Sequence, residues 1–373
     1  MDDEQFLRCQ LITYMGNKRR LVRAIAEAVH TVEQTLGSDR LAFGDGFSGS
    51  GVVSRLFKTR GKSLHTNDLA GYSETLARCY LATPTKAAKR KVAKLIEEAN
   101  AFADDPGGSC VPRWVADHWA PSGEIRPGHR CFFTEENGMR IDRYRAFIGE
   151  QAPRYRPFLL APLLVESSIH NNTSGQFSAF YKSDGVGAYG GKKGIDIKRI
   201  TQPISLRSPV SHPNPCAVTV SRMDANAWAA SVPPLDLVYY DPPYNQHPYS
   251  IYYFLLDIIN DWDLTAKIPD TNRGQPKTWK RSPYNSYVDA ESAFANLIKA
   301  TRAKFILVSY NSRGIIPLAR LSAILREKGA VRAIPVEHRT YNKMAGIAAY
   351  KRKSAKDAIR EFLWLVDCRQ GQT

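Results

Sequence analysis

The chain reads as an α/β protein: a mostly parallel sheet covered by helices and interrupted by a segment of different character. Three observations predict this. Short apolar strand signals alternate with helical spacing, the pattern that specifies a parallel sheet. "LAFGDGFSGSGVVSRLF" is a strand, a glycine-rich turn and a helix start, and "SLHTNDLAGYSETLARCYL" repeats that order. The alternation stops near residue 82 and resumes near 213 with "CAVTVSRMDANAW", "LDLVYYDPPY", "KFILVSYNS" and "EFLWLVDC". Finally, the apolar run Leu237, Val238, Tyr239, Tyr240 leads straight into Asp241-Pro242-Pro243-Tyr244. Two consecutive prolines neither continue a helix nor pair within a central strand, so the chain leaves the sheet stiff and extended. The carboxyl ends of strands are where an open α/β sheet places its ligands.

Three parts follow. Residues 1–81 open with "NKRRLVRAIAEAVHTVEQTLG", whose apolar spacing predicts a helix stopping at Gly37. Residues 82–212 begin with a lysine-rich helix, "TKAAKRKVAKLIEEANAF", and continue through an irregular stretch rich in Pro, Gly and Trp. The helix-like "ENGMRIDRYRAFI" then precedes "HNNTSGQFSAFYKSDGVGAYGGKKGIDIKRI", where no α/β repeat fits. This part reads as an inserted second domain. Residues 213–373 return to the first pattern, and no internal repeat is visible.

Composition narrows the function. Of 373 residues, 43% are apolar and 24% charged, which is that of a globular protein. Lys and Arg number 52 against 36 Asp and Glu, a formal net charge of +16, with a pI near 9.6. Such an excess favours a nucleic-acid partner. A membrane surface fits less well, because the charge is scattered and no basic amphipathic helix stands out. The six cysteines are far apart without a C-x-x-C, which predicts reduced thiols and neither a disulfide framework nor a metal site. The start "MDDEQF" is no signal peptide and no apolar run approaches ~18 residues, so a cytoplasmic location is expected.

Four short features carry the chemistry. In "FGDGFSGSGVV", Gly49 and Gly51 let the backbone turn sharply beside Phe47 and approach a ligand ahead of a helix amino end. Asp68 closes the next strand, where an acid holds the two hydroxyls of a ribose or caps the following helix. Asp224 ends a further strand and either meets the amine of a nucleoside ligand or sits solvated in a loop. Asp-Pro-Pro-Tyr is the most specific: ordinary residue frequencies produce it in roughly one in several hundred chains of this length.

In this order the motifs resemble the S-adenosylmethionine-dependent adenine-N6 DNA methyltransferases of the Dam-like (alpha) group, and within it the FokI-type modification methylases. "ITYMGNKRRLV" is similar to the family's amino-terminal motif, "DGFSGSGVV" to its cofactor motif, and "DPPYNQHPYSIYYFLLDII" to its catalytic motif. "CFFTEENGMRIDRYRAFI", "NNTSGQFSAFYK" and "FILVSYNS" are similar to the FokI-type branch. Tyr14 departs from the family, standing where many relatives carry tryptophan, and Asn17 replaces a common small residue. The resemblance implies a Rossmann-like methyltransferase sheet with helices on both faces and an inserted target-recognition domain. It implies S-adenosyl-L-methionine as cofactor, bound by Tyr14, Lys18, Phe47, Gly49, Gly51, Asp68 and Asp224, and no metal. Lys18 would touch either the methionine part or the approach to the catalytic motif.

An exocyclic amine becomes nucleophilic when acceptors hold its hydrogens and pull nitrogen towards tetrahedral geometry. Asp241 and the carbonyl of Pro242 are the expected acceptors, Pro243 keeps the segment stiff, and Tyr244 would stack on a base rotated out of the duplex. Cytosine-N4 methylation uses the same amine chemistry, RNA is a further substrate, and a non-catalytic DNA-binding subunit is the alternative of another class. Double-stranded DNA is the implied partner; a cognate restriction nuclease is admitted, a membrane is not, and a monomer is the default. The implied host is a prokaryote or a phage. For DNA contact, Asn171, Asn172, Thr173 and Ser174 precede a glycine-loosened basic loop with Lys192 and Lys193. A second basic, aromatic stretch offers Lys277, Lys280 and Arg281 to phosphates. The basic stretches "HRTYNKM" and "YKRKSAK" are either further phosphate contacts or a solvated face.

Overall fold

Seven strands form the central sheet of the computed structural model, which describes residues 3–105, 111–277, 281–334, 336 and 360–369. In chain order they are β1 (Ala42–Asp45), β2 (Ser63–Asn67), β3 (Ala217–Ser221), β4 (Leu235–Tyr240), β5 (Ala303–Asn311), β6 (Ala330–Ile334) and β7 (Glu361–Asp367). Their spatial order is β3-β2-β1-β4-β5-β7-β6. Pairing is parallel from β3 to β5, while β7 runs antiparallel to both β5 and β6. A separate two-stranded hairpin, Lys182–Ser183 with Val186–Gly187, stands outside this numbering.

Alternation along the strands divides the core between the two faces. Leu237, Tyr239, Phe305 and Leu307 point to one face, under the helices Val22–Leu36 and Val52–Arg60. Val238, Tyr240, Ile306 and Val308 point to the other, under the helices Ala225–Ser231, Ala290–Ala300 and Leu318–Lys328. Every residue of β4 is buried, which explains its unbroken apolar run. The sequence gives no comparable sign of β6, an edge strand that is mostly exposed or half-buried.

Helices dominate the inserted segment: Lys86–Asp104, Trp114–Trp119, Glu135–Gly149 and Arg156–Ile169. Its apolar residues do not close a core of their own. Leu159 and Leu163 share one buried cluster with Tyr72 and Leu76 from the helix Gly71–Tyr80, and with Phe254 and Leu255 from the helix Tyr249–Asp261. The composition shift near residue 82 thus marks a change of architecture within a continuous core.

One buried charge fixes the amino-terminal segment. Arg55, 1% exposed, donates to the carbonyls of Phe6 (2.9 Å), Cys9 (2.6 Å) and Gln10 (2.8 Å), with its guanidinium over the Tyr80 ring. Burial pulls its pKa down to about 10, so it stays charged at neutral pH. From this anchor the chain runs on to Tyr14 and Lys18. Arg55→Met leaves three carbonyls without their donor and is expected to cost about 3 kcal/mol or more in urea denaturation. A loss below about 1 kcal/mol would contradict this anchoring role.

Candidate active site

Strand order reverses between β1 and β4, and a crevice opens at their carboxyl ends. It holds a cavity of about 330 Å³, within the usual range of small-molecule sites. Tyr14, Phe47, Gly49, Asp68, Asp224, Asp241 and Pro243 line it, so residues scattered from 14 to 243 meet in one place.

The turn after β1 is shaped by its neighbours. Gly49 has φ +50°, and a Cβ there would lie 2.9 Å from the Tyr14 ring. Gly51 has φ +80° but open space around it, so only its backbone conformation requires glycine. The Gly49 N–H donates to Asp68 Oδ2 (2.7 Å) and the Ala70 N–H to Oδ1 (2.9 Å). Burial pushes the Asp68 carboxyl above its usual range, and these N–H groups offset part of that. Asp224 caps the helix Ala225–Ser231, accepting from Asn226 (2.9 Å) and Ala227 (3.1 Å), while still lining the cavity. Phe47 sits edge-on to Tyr240 and Tyr284.

Tyr14 stacks on two rings, Tyr249 at 5.1 Å and Tyr253 at 4.8 Å, which are nearly parallel to it and 6.3 Å from each other. The helix Tyr249–Asp261 is kinked at Tyr253 (φ −125°, ψ 20°), whose hydroxyl accepts from the Met15 N–H at 2.6 Å. These contacts fix the turn that delivers Lys18. Lys18 Nζ is buried, donating to the Gly16 carbonyl at 2.8 Å and lying 2.9 Å from Asp241 Oδ2. Of the two places expected for Lys18, its ammonium occupies the one at the catalytic motif. Burial alone would lower the Lys18 pKa, but Asp241 and then Glu361 raise it overall.

Asp241 is pushed up to about 6, chiefly by burial; Lys18 lowers it and Glu361 raises it further. Its Oδ1 makes no hydrogen bond of normal geometry among the described residues, though the nearby Ser309 hydroxyl favours the ionised carboxyl. Pro242 is buried behind it. The Tyr244 ring packs edge-on to Tyr310, and a Cβ on Gly16 (φ +72°) would overlap its hydroxyl.

Sequence reasoning missed Asp45 and Glu361 as site residues. Asp45 ends β1 as Asp68 follows β2 and Asp241 follows β4, and that shared strand-end position was the available signal. Ser54 donates to Asp45 Oδ2 at 2.6 Å, whereas Oδ1 has no partner among the described residues. Burial pushes the Asp45 carboxyl up to about 7. Asp45 lines a second chamber of about 30 Å³ with Lys18, Ser50 and Asp241.

The expected DNA contacts divide. Asn171, Asn172 and Thr173 are interior, which corrects the expectation that they reach base edges. Asn171 donates to the carbonyls of Ser167 and Ser168, and Asn172 to those of Cys131 and Ala188, while Thr173 bonds the Asn171 side chain. Their polarity is consumed in holding the loop. Ser174, Lys192, Lys193, Lys277 and Arg281 are exposed. Lys280, "HRTYNKM" and "YKRKSAK" lie outside the described residues.

A stiff Asp-Pro-Pro-Tyr at a strand end, facing a glycine turn across the reversal point of such a sheet, defines a class: methyltransferases that act on an amino group. The chain belongs to the D12 class N6 adenine-specific DNA methyltransferase family, whose model matches residues 14–271. It is an adenine-specific DNA methyltransferase, and a methyl donor is implied. The chain is 28% identical over 338 residues to the type II methyltransferase M.NlaIII of Neisseria lactamica, covering 88% of this chain and 92% of that one. It is 25% identical over 364 residues to M.CviAII of Paramecium bursaria Chlorella virus 1, covering 96% and 99%. With M.FokI of Planomicrobium okeanokoites it shares 26% identity over 366 residues, which span 95% of this chain and 52% of that protein.

The two glycines give a graded test. Gly51→Ala should cost about 1–2 kcal/mol for its left-handed backbone alone. Gly49→Ala should cost more in chemical denaturation, because it also drives Tyr14 out of its stack. Equal losses would mean that the Tyr14 contact does not constrain the turn.

Proposed function

We propose that the methyl donor is S-adenosyl-L-methionine, held in the crevice between β1 and β4, and that the acceptor is an adenine rotated out of duplex DNA. The observation that carries this reading is the unpartnered Oδ1 of Asp241, on a stiff segment beside the donor cavity. When bound, the cofactor supplies an electrophilic sulfonium methyl group. The residues present fit it: Asp68 for the ribose hydroxyls, Asp224 for the adenine amine, Phe47 and Tyr14 for apolar contact, and Gly49 and Gly51 for close backbone approach. The unpartnered Asp45 Oδ1 suits the ammonium of the methionine part.

Asp241 Oδ1 and the Pro242 carbonyl accept the two N6 hydrogens and draw the nitrogen lone pair out of the ring. Tyr244 stacks on the base, and Pro242-Pro243 hold both acceptors at fixed separation. Transfer would form the N–C bond as the donor's S–C bond breaks and its sulfur leaves as a neutral thioether, and the cationic amine would then lose one proton through the acceptors that held it. The inserted segment reads the target site, with Ser174, Lys192 and Lys193 towards the duplex, while Lys277 and Arg281 from the later part of the chain meet phosphates. We further read the enzyme as a monomeric modification methylase of a prokaryotic or phage system, acting in the cytoplasm and able to accompany a restriction nuclease. Among the described residues no helix is long and apolar enough to cross a membrane.

Asp241→Ala should lower methyl transfer by about a hundredfold or more while leaving DNA and cofactor affinity nearly unchanged. Only ionised Asp241 stabilises the positive charge growing on nitrogen and can take up the released proton. The wild-type turnover rate should therefore be flat above its pKa of about 6 and fall tenfold per pH unit below it. Unchanged methylation in the alanine variant would sink the proposed acceptor.

A further inference from the structure

β7 runs antiparallel to its neighbours, so its first residue, Glu361, arrives at the end of the sheet where β4 releases Asp241. Only β5 separates them: Tyr240 pairs with Val308, and Asn311 pairs with Glu361. Both carboxylates converge on Lys18 Nζ, Asp241 Oδ2 at 2.9 Å and Glu361 Oε2 at 3.9 Å. Glu361 and Lys18 are both buried, at 8% and 4% exposure. Glu361 Oε2 makes no hydrogen bond among the described residues. A buried carboxylate set that loosely against its cation is a poor structural fastener, since burying the charge costs more than a long contact returns. Such uncompensated features collect where the chemistry needs them.

We propose that Glu361 is a positioning residue for methyl transfer, sharing Lys18 with Asp241 so that the ammonium stays on Oδ2 and the cluster keeps a net negative charge facing the amine. This rests on the reading that Asp241 accepts from the target amine. With Lys18 alone, Asp241 would sit in a neutral pair and offer little to the positive charge that grows on nitrogen during transfer. With Glu361 ionised, two carboxylates share one cation, and the surplus charge lies no more than about 7 Å from Asp241, because both contact one nitrogen. Glu361 touches neither substrate in this arrangement; it acts through Lys18.

The pH profile distinguishes this from a packing role. The ionisable groups around Asp241 are Lys18 from the amino-terminal turn, Glu361 from β7, Asp45 from β1, Tyr239 and Tyr244 on its own segment, and Tyr249 on the following helix. Lys18 favours ionised Asp241, whereas Glu361 opposes it. Glu361→Gln keeps the shape and removes the charge. It should lower kcat roughly tenfold to a hundredfold, leave cofactor KM and DNA Kd within about twofold, and move the acid limb of kcat to lower pH. Glu361→Asp, which keeps the charge, should hold the limb at its wild-type pH with a smaller loss of kcat, and it carries the test if the glutamine variant does not fold. Wild-type kcat and an unmoved limb in Glu361→Gln would overturn the proposal, as would a loss confined to KM or DNA affinity. Should the glutamine variant not fold, wild-type kcat or a displaced limb in Glu361→Asp would overturn it. A wild-type enzyme with no acid limb, or an active Asp241→Ala, would instead overturn the underlying role of Asp241.

Discussion

Burying an ammonium group costs several kcal/mol unless acceptors surround it, and Lys18 carries one into a position 4% exposed. Its close acceptors are the Gly16 carbonyl in the same turn and Asp241 after β4, with Glu361 at the start of β7 as a looser charge partner. The ammonium is satisfied only when the turn and the Asp241 segment are both in place. The amino-terminal turn is thereby locked to the segment after β4. Gly16 must lack a side chain because Tyr244 occupies that space, so the turn that seats the lysine also packs on the Tyr244 ring.

Tyr14 extends this coupling towards the cofactor side. One edge of its ring lies against Gly49 in the turn after β1, and the ring stacks on Tyr249 and Tyr253 from the helix that follows Asp-Pro-Pro-Tyr. The glycine turn and that helix therefore share one aromatic contact.

Much of this was readable in the sequence because it rests on local signals. β1, β2, β4, β5 and β7 announce themselves as apolar runs, and Gly49, Gly51 and Asp-Pro-Pro-Tyr are backbone requirements expressed in residue type. What could not be read depends on tertiary placement. The run Asn171–Thr173 looks like a polar surface loop, yet its amides and hydroxyl are spent on interior carbonyls and on each other. Nothing local distinguishes a polar group satisfied by protein from one offered to DNA. Glu361 opens "EFLWLVDC" as an ordinary strand-edge acid, and its meaning appears only once β7 is found antiparallel. β6 escaped because an edge strand need not be apolar on either face.

Charge is divided by location. Among the described residues most lysines and arginines are exposed or half-buried, whereas Asp45, Asp68, Asp224 and Asp241 line the crevice and Lys18 is buried against Asp241 and Glu361. On the proposed reading, the basic excess favours DNA and the acidic crevice suits a cationic donor and an amine that becomes cationic. The central claim is that this interior methylates the amino group of adenine. Incubation with labelled S-adenosylmethionine and mixed-sequence duplex DNA, followed by nucleoside analysis, tests it most directly. The account predicts label in N6-methyladenine; label in N4-methylcytosine, or none in DNA, would contradict it.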